Sequence, residues 1–380
     1  MESKGAFFLF SCIFILLLAG CVDPYEPPAI QANNYFLVVE GFINTGEGPT
    51  EFTLSRTARL ADTARIKAER GAEVSVEGKD SDKRFRLQEK ESGVYTMDPY
   101  NFSKEEEYRL RIKTAGGREY LSEFVPIKES PAIDSISWRR IGDDVQIYVN
   151  THDPDEETRY YRWDFLETWE IHSAFYSKLK YENGELKDRH PDSLIYYCWQ
   201  SDNSDRIQIG SSAKLAEDII YRQPVTKVSL KSWKLVEKYS INVKQYALTE
   251  GAYLYFEQMK KNSEQLGSFF DPQPSEISGN IKCINDPDEP VIGFVYASST
   301  EEKRIFIESK EIPDWQFHSY IFECNQMLVN VTSDSMEYYF DYMFYVPIEY
   351  DILTDTHLAS TKYCTDCRER GTTTKPDFWE

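Results

Sequence analysis

The sequence predicts a mainly β chain of tandem antiparallel β-sandwiches with one or two short helices. Three observations carry this. Many short segments alternate apolar and polar residues with a period of two. Turn residues interrupt them at close intervals. Tyr and Phe, 26 and 22 of the 380 residues, are abundant and suit strands better than helices.

The first strand reads from Tyr35 to Ile43 and closes at Asn44-Thr45-Gly46. Segments 51–55, 72–78, 93–96 and 108–112 follow, and Gly116-Gly117 turns the last of these into 119–124. This order resembles immunoglobulin-like or carboxypeptidase-regulatory-like modules, with a boundary expected between Pro126 and Pro131. A second sandwich starts at 133–138 and continues through 145–149. The turn Asp153-Pro154-Asp155-Glu156-Glu157 then leads to the aromatic strand 160–165. Strand, turn and aromatic strand resemble the opening of a fibronectin type III-like domain. Residues 173–226 are polar and irregular and read as an insertion, and 239–248 returns to strand. One helix is expected near 249–266. Thr249 caps it, Glu250 favours its dipole, Ala252, Phe256, Met259 and Leu266 share a core-facing stripe, and Gly267 stops it. Strands at 291–297 and 304–307 are expected to pair across a turn at Thr300–Lys303.

The N-terminus sets the compartment. Residues 6–18 are apolar apart from Ser11, a length that suits a signal peptide and is short for a membrane span. Leu18-Ala19-Gly20-Cys21 resembles a bacterial lipobox, which implies cleavage after Gly20 and lipid on Cys21; the alternative is an ordinary secretory signal. The expected organisation is a signal peptide over 1–20, a lipid-anchored tether over 21–34 and an N-terminal sandwich over 35–128. A C-terminal β-domain with insertions and a cysteine-containing tail fills 129–380. Pro24, Pro27 and Pro28 stiffen the tether. Asp23 and Glu26 weakly resemble the acidic signal for surface export in Bacteroidetes and serve equally as a spacer, so the periplasmic and cell-surface faces of the outer membrane both stay open.

Removing residues 1–20 deletes one Lys and one Glu and leaves the net charge at −21. That argues against nucleic acid and against adsorption to anionic lipid, which need clustered cations. Of seven cysteines, Cys12 leaves with the leader and Cys21 carries lipid. Cys198, Cys283, Cys324, Cys364 and Cys367 are disulfide candidates, with room for two bridges and one thiol. Cys364 and Cys367 form a C-x-x-C without a thioredoxin-like context. Structural bridges from one or both tail thiols to Cys283, Cys324 or Cys198 are favoured over zinc or redox work, with Phe378 and Trp379 docking as apolar plugs.

Catalytic motifs are absent. The five histidines are scattered, and there is no H-E-x-x-H, no G-x-S-x-G and no phosphate loop. Among 64 carboxylates, acidic pairs arise by chance. The acidic turns 153–157 and 286–289 hold calcium-like ligands without a calcium-loop spacing and read as solvated turns. No metal and no cofactor is expected. Tyr160, Tyr161, Trp163 and Trp169 are a possible ligand platform for sugar stacking, against the alternative that about half lie in the core. Asp62-Thr63-Ala64, Asp134-Ser135-Ile136, Asp192-Ser193-Leu194 and Asp334-Ser335-Met336 resemble a Bacteroidetes O-glycosylation pattern.

Lipobox, immunoglobulin-like domain, Asp153-Pro154 turn, Gly279-Asn280-Ile281, Gly293-Phe294-Val295-Tyr296-Ala297-Ser298 and the tail from Cys364 to Trp379 occur here in one order. Together they resemble the domain-of-unknown-function family numbered 4249, a set of Bacteroidetes lipoproteins, over almost the whole mature chain, the tail being the most specific part. Gly371-Thr372 departs from the paired glycine of many members. The resemblance carries over no catalytic residue. It implies an accessory role beside TonB-dependent receptors. The leading expectation is therefore a non-enzymatic outer-membrane lipoprotein, held by its N-terminal lipid, that partners a TonB-dependent receptor or its ligand. The alternative is a free-standing surface adhesin or a lipoprotein binding a glycan or peptide. A hydrolase with a dispersed site is the third.

Overall fold

The computed structural model describes residues 35–58, 67–264, 279–312 and 321–379. The anchor Cys21, the helix-stripe position Leu266, the helix stop Gly267, and Asp62-Thr63-Ala64 lie outside them. The described chain is mainly β and forms two sandwiches and a smaller third unit.

The first sandwich takes β1 (Leu37–Asn44), β2 (Thr50–Arg56), β3 (Lys67–Ala68), β4 (Glu73–Gly78), β5 (Arg84–Glu91), β6 (Val94–Met97), β7 (Tyr108–Lys113), β8 (Glu119–Ser122) and β9 (Ile127–Lys128). Alternation sends Leu37, Val39 and Ile43, Phe52 and Leu54, Val74 and Val76, and Leu110 and Ile112 into one core. Side chains from both halves of one continuous sheet meet there, so the sheet is folded over on itself.

The second sandwich is built from β10 (Ile133–Ile141), β11 (Asp144–His152), β12 (Tyr160–His172), β15 (Tyr197–Asn203), β16 (Gln208–Ser211), β17 (Ile219–Ser229) and β18 (Lys238–Leu248) with later elements, while β13 (Leu179–Glu182) and β14 (Glu185–Asp188) form a separate hairpin. One sheet runs β10-β11-β17. The other runs β15-β12-β18 and continues through the strand Thr300–Glu308, with β16 also on β12. Val145, Ile147 and Val149 of β11 share the core with Tyr161, Trp163 and Phe165 of β12 and Ile241 and Val243 of β18. Its one amide network is closed. The Trp163 indole donates to Gln245 Oε1 at 2.9 Å, and Gln245 Nε2 donates to Pro131 O at 2.7 Å and Thr151 Oγ1 at 3.1 Å.

Helix α1 (Glu250–Glu264) follows, with Thr249 Oγ1 accepting from Ala252 N at 3.3 Å as an N-cap. Ala252 and Tyr255 are its buried residues, and Phe256 packs beside them.

The chain then re-enters the first sandwich through β19 (Ile281–Cys283), β20 (Val291–Ile292) and β21 (Ala297–Ser298). β20 and β21 pair in parallel with β1, and β21 also with β9. The expected division at residue 128 therefore leaves out part of the first sandwich, whose sheet is completed from 281–298. The expected pairing of 291–297 with 304–307 is also corrected. β22 (Thr300–Glu308) leaves the first sandwich and pairs with β18, and residues 300–303 are strand rather than turn. Parallel partners need a long crossover, which no local window reveals. The glycines make this return possible. A Cβ on Gly279 would fall 1.7 Å from Gly293 O, and Gly293 has φ +150° against Val39 O. Asn280 then bonds both backbone groups of Val295 at 2.8 Å.

The insertion at 173–226 is more ordered than expected. Asn183 and Gly184, at φ 56° and 79°, turn the β13–β14 hairpin, and β17 is a full partner of β11. β23 (Val329–Val331), β24 (Val346–Asp351) and β25 (Thr356–Ser360) form the third unit's sheet, with the β13–β14 hairpin packed on its small core of Val331, Phe340 and Ala359. Among the described residues no helix is long and apolar enough to cross a membrane.

Candidate functional site

The proposed aromatic platform does not form. Tyr161 and Trp163 are fully buried and Trp169 nearly so. All three have odd numbers on β12, so alternation sends them to one face, the core. Tyr160 points the other way and packs on Tyr253 of α1, ring centroids 5.1 Å apart. The four residues share no surface.

The cysteines act as structural staples. Cys367 bridges Cys198 and Cys364 bridges Cys324, while Cys283 is buried as a free thiol. The C-x-x-C thus splits its two sulfurs. One fastens the tail to β15 of the second sandwich, and the other fastens it to the segment that enters the third unit. Beyond the bridge, Gly371 lets the tail backbone pass Trp199, where a Cβ would fall 2.7 Å from its carbonyl. Trp199 and Thr372 then exchange backbone bonds at 2.8 and 2.9 Å. Trp379 is buried, donates to Glu170 Oε2 at 3.2 Å and meets Phe306 edge-on at 5.5 Å. Burial opposes ionisation of Glu170, but His172, the Trp379 indole and Lys238 together hold it below the usual carboxylate range. Half-buried Phe378 lies under the Arg304 guanidinium at 3.5 Å.

The acidic turns are occupied by the protein itself. Asp153 accepts from the backbone of Asp155, Glu157 and Thr158 at 2.8 to 3.1 Å. Glu289 accepts from Tyr120 Oη at 2.8 Å and pairs with Arg56 and Arg118. Among the described residues no group of three or more His, Cys, Asp or Glu side chains is placed to hold a metal ion.

Where the sandwiches meet, the joint is aromatic. Phe42 of β1 stacks on Tyr296 at 5.3 Å and meets Tyr246 of β18 edge-on at 5.1 Å. Arg162 lies 4.7 Å from the Phe256 ring and 5.4 Å from Tyr246, bonds Asp164 at 2.7 and 2.9 Å, and donates to Tyr296 Oη at 3.1 Å. Burial, with Glu40 adding to it, pushes the Tyr255 hydroxyl up to about 12. Burial also raises Tyr296 to about 12, with Arg162 opposing. The aromatic part of the joint is closely packed.

The third unit is different. Among the described residues, nine of the nineteen exposed large apolar side chains lie between Met327 and Tyr363. At the β24–β25 tip, Ile352 and Leu353 are 80% and 92% exposed. Tyr338 and Tyr342 are spaced four residues apart on a π-helical turn, a conformation enriched at functional sites, and Tyr342 is 68% exposed. Phe344 holds φ +56°, where a bulky side chain is strained, and is 62% exposed. These side chains give the third unit an exposed apolar surface. Acidic Asp334, Glu337, Asp341 and Asp351 lie close to it in sequence. The sequence reading missed this surface, although Tyr338–Tyr345 carries six aromatics without strand-like alternation.

The comparisons add the family. The profile of a family described as "Domain of unknown function (DUF4249)" matches residues 22–304. The match ends before the tail from Cys364, so the tail lies outside it. A search of curated proteins finds no match. Similar solved structures include a two-fibronectin type III domain segment of chicken tenascin, at 13% identity, covering 56% of this chain and 89% of that one. Another is a candidate carbohydrate-binding protein of Bacteroides uniformis, at 10% identity, covering 57% and 90%. Both have a TM-score of 0.15, too low to support any argument. By the match over residues 22–304, the chain belongs to the DUF4249 family.

Proposed function

We propose that this chain is a non-enzymatic, lipid-anchored accessory protein of the outer membrane that docks a TonB-dependent receptor through its third unit. The observation that carries the reading is the exposed set of Tyr338, Tyr342, Phe344, Ile352 and Leu353 on a unit whose own core is small. Aromatic and aliphatic anchors of this kind fill pockets on a partner. The lipobox at Leu18-Ala19-Gly20-Cys21 supports the anchor, and the tether behind it supports presentation of the sandwiches away from the membrane. The tail bridges favour a fixed orientation of the third unit on the second sandwich. The buried Tyr161, Trp163 and Trp169 remove the ground for sugar stacking on β12, which weakens the reading as a free-standing glycan adhesin.

The test is an affinity pull-down of the tagged lipoprotein from gently solubilised outer membranes, with the eluate identified by mass spectrometry. A near-stoichiometric TonB-dependent barrel is expected. Abundant lipoprotein with no barrel in the eluate would overturn the reading.

A further inference from the structure

Two clefts open among the described residues, about 830 Å³ between the sandwiches and about 460 Å³ between β12 and β17. Buried side chains and solvated polar groups line both, and neither lining selects a ligand. The tip of the β24–β25 hairpin is different, because folding gives no reason for its side chains.

β24 ends at Asp351 and β25 begins at Thr356, so the turn is Ile352-Leu353-Thr354-Asp355. Turns favour Gly, Pro, Asn, Asp and Ser, which shape the backbone. Here two branched aliphatic residues lead the turn. They are the two most exposed large apolar side chains among the described residues, and neither enters the core of the third unit. Tyr350, also exposed, precedes them.

The turn is nevertheless held in one shape. Asp351 Oδ1 accepts from Leu353 N at 2.9 Å, and Asp351 Oδ2 accepts from Thr354 Oγ1 at 2.9 Å. Tyr350 Oη donates to Asp355 Oδ1 at 2.7 Å, and Asp355 holds φ +53°. The bonds from Leu353 N and Thr354 keep the Asp351 carboxyl below its usual range. The aliphatic pair is thus fixed in water between two carboxylates. An anchor whose shape is set in advance loses little conformational freedom on entering a pocket.

Charge decides which pocket. No Lys or Arg occurs between Lys310 and Lys362, whereas residues 321–361 carry seven Asp and Glu. Glu349 pairs with Lys178 at 2.8 Å, while Asp351 and Asp355 flank the tip without a cation among the described residues. The same unit of a second copy would meet the tip with like charge, and so would an anionic bilayer. Lysine or arginine at the lip of a pocket would instead pair with Asp351 and Asp355 while the interior takes Ile352 and Leu353. On the reading that the third unit docks a receptor, we infer that the β24–β25 tip is the inserted element, and that its partner is a protein pocket apolar inside and cationic at the rim.

The test places a photo-crosslinking residue at Leu353 of the full lipoprotein in outer membranes, and mass spectrometry maps each adduct to a peptide. The same residue at Tyr342 reports docking by the unit as a whole. The expected adduct from 353 lies on an apolar protein segment within a few residues of Lys or Arg, and its yield falls at high salt. Asp351→Asn with Asp355→Asn keeps the acceptor oxygens and tolerates the positive φ, so the turn is retained. That pair should lower the yield about tenfold and remove its salt dependence, and Ile352→Ser should lower it by about as much. Adducts to lipid, to another copy of this chain or to a segment without Lys or Arg would overturn the inference. So would a yield unchanged by salt and by the Asn pair, or undiminished by Ile352→Ser. A barrel adduct from 342 with none from 353 would overturn it and leave docking by the third unit standing. No adduct from either position would overturn both.

Discussion

The aromatics of β12 and those of the third unit have opposite fates. Tyr161, Trp163 and Trp169 stand at odd positions of a long strand between two sheets, and the core takes all three. Tyr338, Tyr342 and Phe344 stand on a π-helical turn and its exit, over a core of three fully committed residues, and water keeps them. Residue type is the same in both places. Burial depends on whether the backbone period matches a face that has something to pack against. The first set holds the fold, and the second set is free to make contacts.

Substitution separates the two most sharply in the core. Trp163→Ala removes a fully buried indole and strands the Gln245 amide, and should cost about 3–5 kcal/mol in a urea titration. Replacing Cys198 and Cys367 together with Ser should cost about 2–5 kcal/mol and leave the tail from residue 367 open to limited proteolysis. A null effect in either case would mean that the second sandwich is stable without these contacts.

The joint between the sandwiches gives a pH signature. An unfolded tyrosine titrates near 10, whereas Tyr255 and Tyr296 are pushed to about 12. The folded state therefore holds these protons more tightly. Their contribution is full below pH 10 and is lost as pH rises through 12, by about 1 kcal/mol per group at pH 11. Thermal melts from pH 9 to 12 should show this decline, reduced in Tyr255→Phe. The smallest effect is expected from Tyr342→Ser, Phe344→Ser and Leu353→Ser, each within about 0.5 kcal/mol of the parent by urea titration. A large loss there would mean that these side chains belong to a core.

Much of this was legible from local pattern. Alternation marks the strands at 51–55, 72–78, 145–149 and 239–248, and Thr249 marks the start of α1. The parity of β12 was also legible, since 161, 163 and 169 share one face, and reading it would have withdrawn the platform. Asn183-Gly184 was an available hairpin signal inside a segment read as irregular. Other features were not local. The return of 281–298 to the first sandwich depends on parallel partners more than 200 residues away in sequence. β17 carries Pro224 and two charges, Arg222 and Lys227, so its alternation is broken where its register with β11 shifts. The cleft between β12 and β17 draws on 146, 165, 167, 202–208 and 224–234, which no spacing rule connects.

The central claim is that the third unit makes the contact. A photo-crosslinking residue placed at Tyr342 tests it in intact outer membranes, with Tyr221 of the second sandwich, 71% exposed, as the control. The account predicts an adduct to a TonB-dependent barrel from position 342 and none from 221. Adducts from 221 alone, or no adduct from 342 in membranes where the lipoprotein is abundant, would contradict it.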